Sequence, residues 1–168
     1  LVFINWKKAS IGQMVDPSTD KICMDEKELK ETEKLVYYKM NKPRWIVTTC
    51  KSLWEKAIVD IIDIPERVFP IWRLDKDTTG LILLTNDWRL SNYLIHPRYE
   101  HEKEYIVQVY WTINDEQLEE MSRWVFILWK LTKKAEVYRV NSWAFGIILK
   151  EGRNRQIRRM VALVGKEV

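Results

Sequence analysis

Glycine, cysteine and histidine are scarce in this chain, which has five, two and two of them among its 168 residues. The cysteines, Cys23 and Cys50, lie far apart with no second pair, which argues against a zinc site and a disulfide scaffold. His96 and His101 cannot complete a set of metal ligands, so we predict no metal site. No apolar run could cross a bilayer, and the first residues lack the features of a secretion signal. We therefore expect a cytoplasmic protein with reduced thiols.

The composition indicates a folded chain with one main domain and, at most, a small appendage. Hydrophobic residues make up 46% and charged residues 31% of the sequence, which excludes a disordered chain. The net charge of +4 is only mildly basic. Where the cations lie is therefore more informative about an anionic partner than their sum.

The most informative segment is residues 73–80, which places charged side chains directly before the apolar run 81–84. Asp75 is flanked by Arg73 and Lys76. A loop aspartate ordinarily accepts hydrogen bonds from nearby backbone amides. A carboxylate beside cations and pinned to a buried strand could instead act as a nucleophile. Asp77, in the same loop, is interpreted as a loop-capping residue in preference to a second catalytic carboxylate.

A second charged segment, residues 150–160, brings four arginines together at the start of a helix. The arginines are Arg153, Arg155, Arg158 and Arg159. Crowded like charges are unfavourable, so an anionic partner is one explanation. The alternative is a surface helix with ion pairs to neighbouring carboxylates.

Hydrophobic periodicity predicts an α+β domain on a mainly antiparallel sheet flanked by a few helices. Asn114 and Gln117 have the spacing of a helix-capping box. The first 29 residues have the pattern of short strands and turns, and the charged stretch 25–34 is expected to be a linker. Predicted strands are 35–40, 81–85, 104–110, 135–140 and 145–150. Predicted helices are 89–95, 115–122 and one that begins near 154.

Four short motifs give this chain a resemblance to a known family. In chain order they are Asn-Lys-Pro-Arg, Arg-Leu-Asp-x-Asp-Thr-x-Gly, Lys-Glu-Tyr and Gln-Ile-Arg. The chain resembles the RsuA-like family of ribosomal RNA pseudouridine synthases. The resemblance implies the pseudouridine synthase fold over residues 35–168, incomplete at the C-terminus. Residues 1–31 resemble the C-terminal half of an S4 RNA-binding domain.

The resemblance also implies roles for individual residues. Asp75 matches the catalytic aspartate, Arg158 the arginine that pairs with it, and Tyr105 the tyrosine that stacks on the target base. For Tyr105 the alternative is an ordinary core aromatic. Arg73 either balances a neighbouring carboxylate or fills the space that a flipped nucleotide vacates. The residues expected to contact RNA or its phosphates are Lys42, Arg44, Arg153, Arg155 and Arg159.

By the same resemblance we predict the isomerisation of a specific uridine in structured ribosomal RNA, with the target base flipped out. The form of the arginine segment favours large-subunit RNA. No cofactor is implied, and a monomer is expected. The alternative from another class is a non-catalytic module for RNA binding or ribosome assembly on the same scaffold.

The nine tryptophans outnumber the five glycines, although average usage predicts about twelve glycines. Two of them, Trp6 and Trp88, follow Asn5 and Asp87, where a turn calls for glycine because glycine tolerates positive φ. Our hypothesis is that UGA codons decoded as glycine in the cell have been translated as tryptophan. Trp143 is the position most acceptable as tryptophan. The rival interpretation is an RNA-binding surface rich in stacking aromatics. The positions in question are 6, 45, 54, 72, 88, 111, 124 and 129.

Overall fold

The structure, a computed structural model, describes residues 1–16, 18–25, 27–29 and 34–168. The chain divides into two compact units, Leu1–Leu35 and Val36–Val168. Within the described residues, no helix is long and apolar enough to cross a membrane.

The first unit contains a small antiparallel sheet of four strands in the order β2-β1-β3-β4. The strands are β1 (Val2–Ile4), β2 (Lys7–Lys8), β3 (Ile22–Met24) and β4 (Lys27–Glu28). The expected short strands and turns are therefore present. Strand β4 occupies part of the stretch predicted to be a linker, whose residues 26 and 30–33 lie outside the described residues. The likeness to an S4 domain stays a prediction.

The second unit begins with a three-stranded antiparallel sheet in the order β5-β7-β6. Strand β7 is central because its residues are the apolar run after the aspartate motif. One face of this sheet packs in a core that includes Val36, Ile58, Ile82 and Leu84. The elements are β5 (Tyr37–Lys42), β6 (Phe69–Ile71), β7 (Gly80–Thr85) and helix α1 (Trp88–Ile95). The side chain of Asp87 caps the first turn of α1.

The rest of the second unit builds a second antiparallel sheet in the order β11-β12-β8. Its core includes Phe145 and Ile147 from β12 and Met160 and Val161 from the last helix. The elements are β8 (Lys103–Gln108), α2 (Asp115–Ser122), β9 (Phe126–Ile127), β10 (Lys130–Leu131), β11 (Glu136–Asn141), β12 (Ala144–Leu149) and α3 (Gln156–Leu163).

The predicted fold class is confirmed, because the described part of the chain combines antiparallel sheets with three α-helices and two short 3-10 helices. The capping box of Asn114 and Gln117 is present at the start of α2. Three short strands, β6, β9 and β10, were missed. Strands of two or three residues carry too little alternation for a pattern to identify them.

Candidate active site

The aspartate loop, which we define as residues 73–80, connects the edge strand β6 to the central strand β7. Its turn is closed by the Thr78 amide, which donates to the Asp75 carbonyl at 3.0 Å. Gly80 ends the loop at φ 144°, a conformation that side chains disfavour. The carboxylates of Asp75 and Asp77 therefore start from a backbone fixed at both ends.

A second loop, residues 42–48, holds the aspartate loop by donating hydrogen bonds to the carbonyl groups of the aspartate loop. The backbone amide of Trp45 donates to the Lys76 carbonyl at 2.7 Å. The Thr48 hydroxyl donates to the Leu74 carbonyl at 2.9 Å. These bonds flank Asp75 on both sides and fix the direction of its side chain.

Lys42 adds one bond to this anchoring because its side chain is turned inward, and its predicted contact with RNA stays a prediction. Its side chain is fully buried, at 0% exposure. The ammonium donates to the carbonyls of Pro43 and Ile46 at 2.8 Å each and to that of Lys76 at 3.3 Å. Burial lowers the pKa of this ammonium, and the nearby carboxylates of the aspartate loop act in the opposite direction. The inward direction of this side chain cannot be predicted from the sequence, because only the folded chain brings the three backbone carbonyls together around the ammonium.

Arg44 follows in the same loop and remains at the surface. Its Nε donates to the Asp77 carbonyl at 3.1 Å, so one edge of the guanidinium is tied to the aspartate loop. The exposed remainder can still meet an anion.

The arginine segment, which we define as residues 150–159, leads into α3. Arg153 is turned inward: its guanidinium donates to the Lys130 carbonyl at 3.0 Å, to the Leu131 carbonyl and to the Glu151 carboxylate. Gln156 accepts from the Arg153 amide at 3.1 Å. Arg153 therefore fastens the segment to the β9–β10 hairpin, and its predicted phosphate contact stays a prediction.

The two segments meet through ion pairs between arginines and aspartates. Arg158 Nη2 lies 2.8 Å from Asp77 Oδ2, whereas Arg158 Nε lies 3.9 Å from Asp75 Oδ2. Arg155 Nη1 lies 3.7 Å from Asp77 Oδ1. The structure thus brings Arg158 to both carboxylates, with Asp77 as the nearer partner.

The prediction that Asp77 caps the loop is wrong. Its Oδ2 faces Arg158, and its Oδ1 is buried and has no hydrogen-bond partner among the described residues. Asp77 is a site residue that sequence reasoning missed. Its position two residues after Asp75 was the available signal, since a two-residue offset in a turn can place both carboxylates on one side.

Tyr105 lies in β8, with its ring packed against the core that contains Phe145 and Ile147. Burial raises the pKa of its phenol, and the negative charge of Asp75 raises it further. The predicted place of Tyr105 in the site, and its stacking on a base, stay predictions.

Two cations remain at the surface around the site. Arg73 is exposed and makes no hydrogen bond or ion pair within the described part of the chain. Arg159 is exposed, and its side chain bonds Asn154 in the described part of the chain, with Nε donating to the Asn154 carbonyl at 3.1 Å. Together with Arg155, they leave guanidinium groups available to a polyanion.

The arrangement suits covalent chemistry on a polyanionic substrate. The side chain of Asp75 is 34% exposed, so a substrate atom can reach it, and Arg158 can compensate its charge. No group of histidine, cysteine, aspartate or glutamate side chains able to hold a metal occurs within residues 1–16, 18–25, 27–29 and 34–168.

Comparisons with known proteins agree with this geometry. The family model described as RNA pseudouridylate synthase matches residues 36–163. The chain is 44% identical over 168 residues to the dual-specificity RNA pseudouridine synthase RluF of Escherichia coli K12, covering 99% of this chain and 58% of that protein. It is 36% identical over 151 residues to ribosomal large subunit pseudouridine synthase B of Bacillus subtilis, covering 82% and 60%.

A solved structure titled as the crystal structure of pseudouridylate synthase superimposes with a TM-score of 0.78 at 27% identity. The match covers 99% of this chain and 74% of that one. The chain spans 58% of the length of the curated RluF relatives that it matches.

Proposed function

This chain belongs to the RNA pseudouridylate synthase family, and from that premise we propose that it converts a uridine of ribosomal RNA to pseudouridine. The names of the relatives support ribosomal RNA as the substrate. The large-subunit enzyme among them favours the large-subunit RNA that the arginine segment also indicated. A monomer that acts in the cytoplasm remains part of the proposal.

The observation that carries the proposal is the partly exposed carboxylate of Asp75, held between a fixed loop and Arg158. We assign to Asp75 the role of nucleophile toward either the ribose or the uracil ring. The N-glycosidic bond then breaks, the base rotates, and a carbon–carbon bond to C5 forms. C5 loses its proton, N1 gains one in place of its bond to the ribose, and the bond between Asp75 and the substrate is released, so the product is an isomer of the substrate.

Arg158 compensates the charge of Asp75 from 3.9 Å in this proposal. At that separation the guanidinium lowers the electrostatic energy of the carboxylate without donating a short hydrogen bond to it. The oxygen atoms of Asp75 therefore keep lone pairs available for attack.

Tyr105 provides an aromatic face for the base. A uridine inside a helix does not expose its glycosidic bond, so the target nucleotide must leave the stack. Stacking on an aromatic ring is worth about 1–3 kcal/mol per base and stabilises the flipped state. The Lys-Glu-Tyr motif in which Tyr105 lies supports this role.

The exposed arginines bind the RNA in the proposal. Arg73 lies two residues before Asp75 and is unpaired in the described structure, which suits it to fill the gap left by the flipped nucleotide. Phosphates are bound by three further arginines in the proposal: Arg155 and Arg159 in the arginine segment, and Arg44 beside the aspartate loop.

The test is to incubate the protein with ribosomal RNA that lacks modifications and to map pseudouridines at single-nucleotide resolution. We expect one or a few modified sites with the wild-type protein and none with Asp75→Asn. RNA that is bound but never modified would refute the proposal and favour the non-catalytic binding module.

A further inference from the structure

Five of the nine tryptophans share a backbone conformation that large side chains avoid. The residues are Trp6, Trp45, Trp72, Trp111 and Trp129, with φ between 63° and 69°. They are half of the ten non-glycine residues at positive φ among the described residues. We propose that these five positions carry glycine in the protein as its own cell makes it.

The physical reason is the Cβ atom. In the left-handed region Cβ approaches the following carbonyl oxygen, so glycine enters this region freely, Asn and Asp do so occasionally, and a bulky side chain is an outlier. One such tryptophan could be a local peculiarity. Five tryptophans with φ values within a few degrees of one another indicate one common cause.

Two of the positions lie in hairpin turns whose geometry is specific. Asn5 and Trp6, at φ 48° and 65°, connect the paired residues Ile4 and Lys7 of β1 and β2. A two-residue turn with both central residues at positive φ is type I′, and its preferred sequence is Asn-Gly. Asn5 is thus the expected first residue, and position 6 calls for glycine.

The β9–β10 hairpin repeats this geometry. Leu128 and Trp129, at φ 50° and 63°, connect the paired residues Ile127 and Lys130. Position 129 is again the second central residue of a type I′ turn, where glycine is favoured. The two hairpins lie in different units of the chain, so the coincidence does not come from one local environment.

The exposed indole side chains contribute too little stabilisation to offset this backbone strain. Trp6, Trp45, Trp111 and Trp129 are 76%, 66%, 82% and 89% exposed. Side chains that stay in water bury too little area to offset an unfavourable backbone. A surface of stacking aromatics would not need left-handed backbone, so that rival explains the exposure and leaves the φ values unexplained.

The other four tryptophans behave differently. Trp54, Trp88, Trp124 and Trp143 lie outside the left-handed region. The inference therefore covers five positions, fewer than the eight that the sequence suggested. Trp143 supplies a matched control, because it is an exposed tryptophan in an ordinary backbone conformation.

Two of the five positions shape the active site. The amide of Trp45 donates to the Lys76 carbonyl in the aspartate loop, and Trp72 directly precedes Arg73. The Trp72 ring lies 4.1 Å from the Lys103 ammonium and lines a cleft of about 300 Å³. Glycine at 72 would uncover Lys103 and widen this cleft beside the aspartate loop.

A change in codon meaning explains how one residue type is substituted at all five positions. UGA, a stop codon in the standard code, would be decoded as glycine by the cell and as tryptophan by another translation table. We expect UGA at the five positions in the gene. We also expect glycine-containing peptides at positions 45 and 72 when protein from the source cells is analysed by mass spectrometry. UGG codons there, or peptides with the mass of tryptophan, would overturn the inference.

Stability provides a test that needs only recombinant protein. Trp45→Gly and Trp72→Gly should each raise the melting temperature by about 2–4 °C. Each change removes left-handed strain at one residue, and the stability gained corresponds to a shift of that size in a chain of this length. Trp143→Gly should leave it unchanged or lower it. Lower melting temperatures for both test variants, or an equal rise in the control, would contradict the proposal.

A different observation carries a second inference, which rests on the proposed function. Arg158 is nearer to Asp77, at 2.8 Å, than to Asp75, at 3.9 Å, and Arg155 also faces Asp77 at 3.7 Å. The geometry points to Asp77 as a positioning residue. It holds Arg158 beside the nucleophile while preventing a short, two-bond pair between Arg158 and Asp75.

The buried Oδ1 of Asp77 agrees with a role beyond stability. This atom has no hydrogen-bond partner in the described residues, and Arg155 Nη1 lies 3.7 Å from it. Because most buried polar atoms in folded proteins are hydrogen-bonded, an unsatisfied one calls for an explanation, and a positioning role supplies it.

The test compares Asp77→Asn and Asp77→Glu with the active wild-type protein. We expect kcat to fall about 10- to 100-fold in Asp77→Asn, since a small displacement of a catalytic partner has effects of that order. KM and the melting temperature should change little, and Asp77→Glu should recover part of kcat. An unchanged kcat in Asp77→Asn, or a change in KM alone, would overturn this inference. An inactive wild-type protein would instead count against the proposed function.

Discussion

The aspartate loop and the arginine segment meet at one site, yet the fold fixes them in different ways. The aspartate loop is held through its backbone: carbonyls of residues 74, 76 and 77 accept from the neighbouring loop 42–48. The arginine segment is held through its side chains: Glu151 accepts from Arg153 and Gln156, and Arg153 also donates to carbonyls of the β9–β10 hairpin. In the described part of the chain, three ion pairs join the two segments. They are Asp75–Arg158, Asp77–Arg158 and Asp77–Arg155.

The comparison teaches that each segment relies on one cation turned inward. Lys42 serves the aspartate loop and Arg153 serves the arginine segment. Arg158 faces the two aspartates, whereas Arg44, Arg73 and Arg159 are exposed and are the cations that we propose bind RNA. Inward cations should therefore affect stability, and outward cations should affect RNA affinity.

The largest effect is expected for Lys42→Met. This change keeps the length of the side chain and leaves the carbonyls of Pro43, Ile46 and Lys76 without their donor. We expect a loss of about 3 kcal/mol in the free energy of unfolding, measured by urea denaturation, because buried acceptors lose a charged donor. Lys39→Met, at an exposed position of the same strand, is the control and should be nearly neutral. Equal losses of unfolding free energy in both variants would contradict the stabilising role assigned to the buried ammonium of Lys42.

Arg153→Met tests the inward cation of the other segment. Its guanidinium is partly exposed, so the expected loss of stability is smaller, about 1–2 kcal/mol. The salt dependence of RNA binding should not change, because this arginine contacts no phosphate in our account. A shallower salt dependence with unchanged stability would restore the phosphate role that the sequence suggested.

Arg73→Gln and Arg159→Gln test the outward cations. Each should reduce the slope of log affinity against log salt by about one and change the unfolding free energy by less than about 0.5 kcal/mol. Binding measured at several salt concentrations with a ribosomal RNA fragment gives the slope. If either variant unfolds as readily as Arg153→Met, the division between inward and outward cations fails.

The smallest effect concerns pH. The pKa of the Tyr105 phenol is raised by burial and by Asp75, so the unfolded chain releases this proton before the folded one as pH increases. Stability from Tyr105 is therefore present below about pH 10 and declines above it. In Tyr105→Phe the free energy of unfolding should fall less steeply across this window. Tyr110→Phe, at an exposed ring, should follow the wild-type curve.

Periodicity was enough to predict the long elements and the α+β class, because apolar faces of six or more residues determine which side is buried. Motif resemblance was enough to predict that Arg158 approaches Asp75 across more than eighty residues of chain. The directions of Lys42 and Arg153 could not be predicted. Their acceptors are backbone carbonyls, which every residue has, and only the folded chain brings the right ones within reach.

The most direct measurement of the central claim is a single-turnover assay of Asp75→Asn beside a binding assay on the same ribosomal RNA. If Asp75 is the nucleophile in a site whose outer cations bind the RNA, the variant should bind with an affinity within about threefold of wild type and form no pseudouridine. Pseudouridine formed at a rate near that of the wild type would contradict the account.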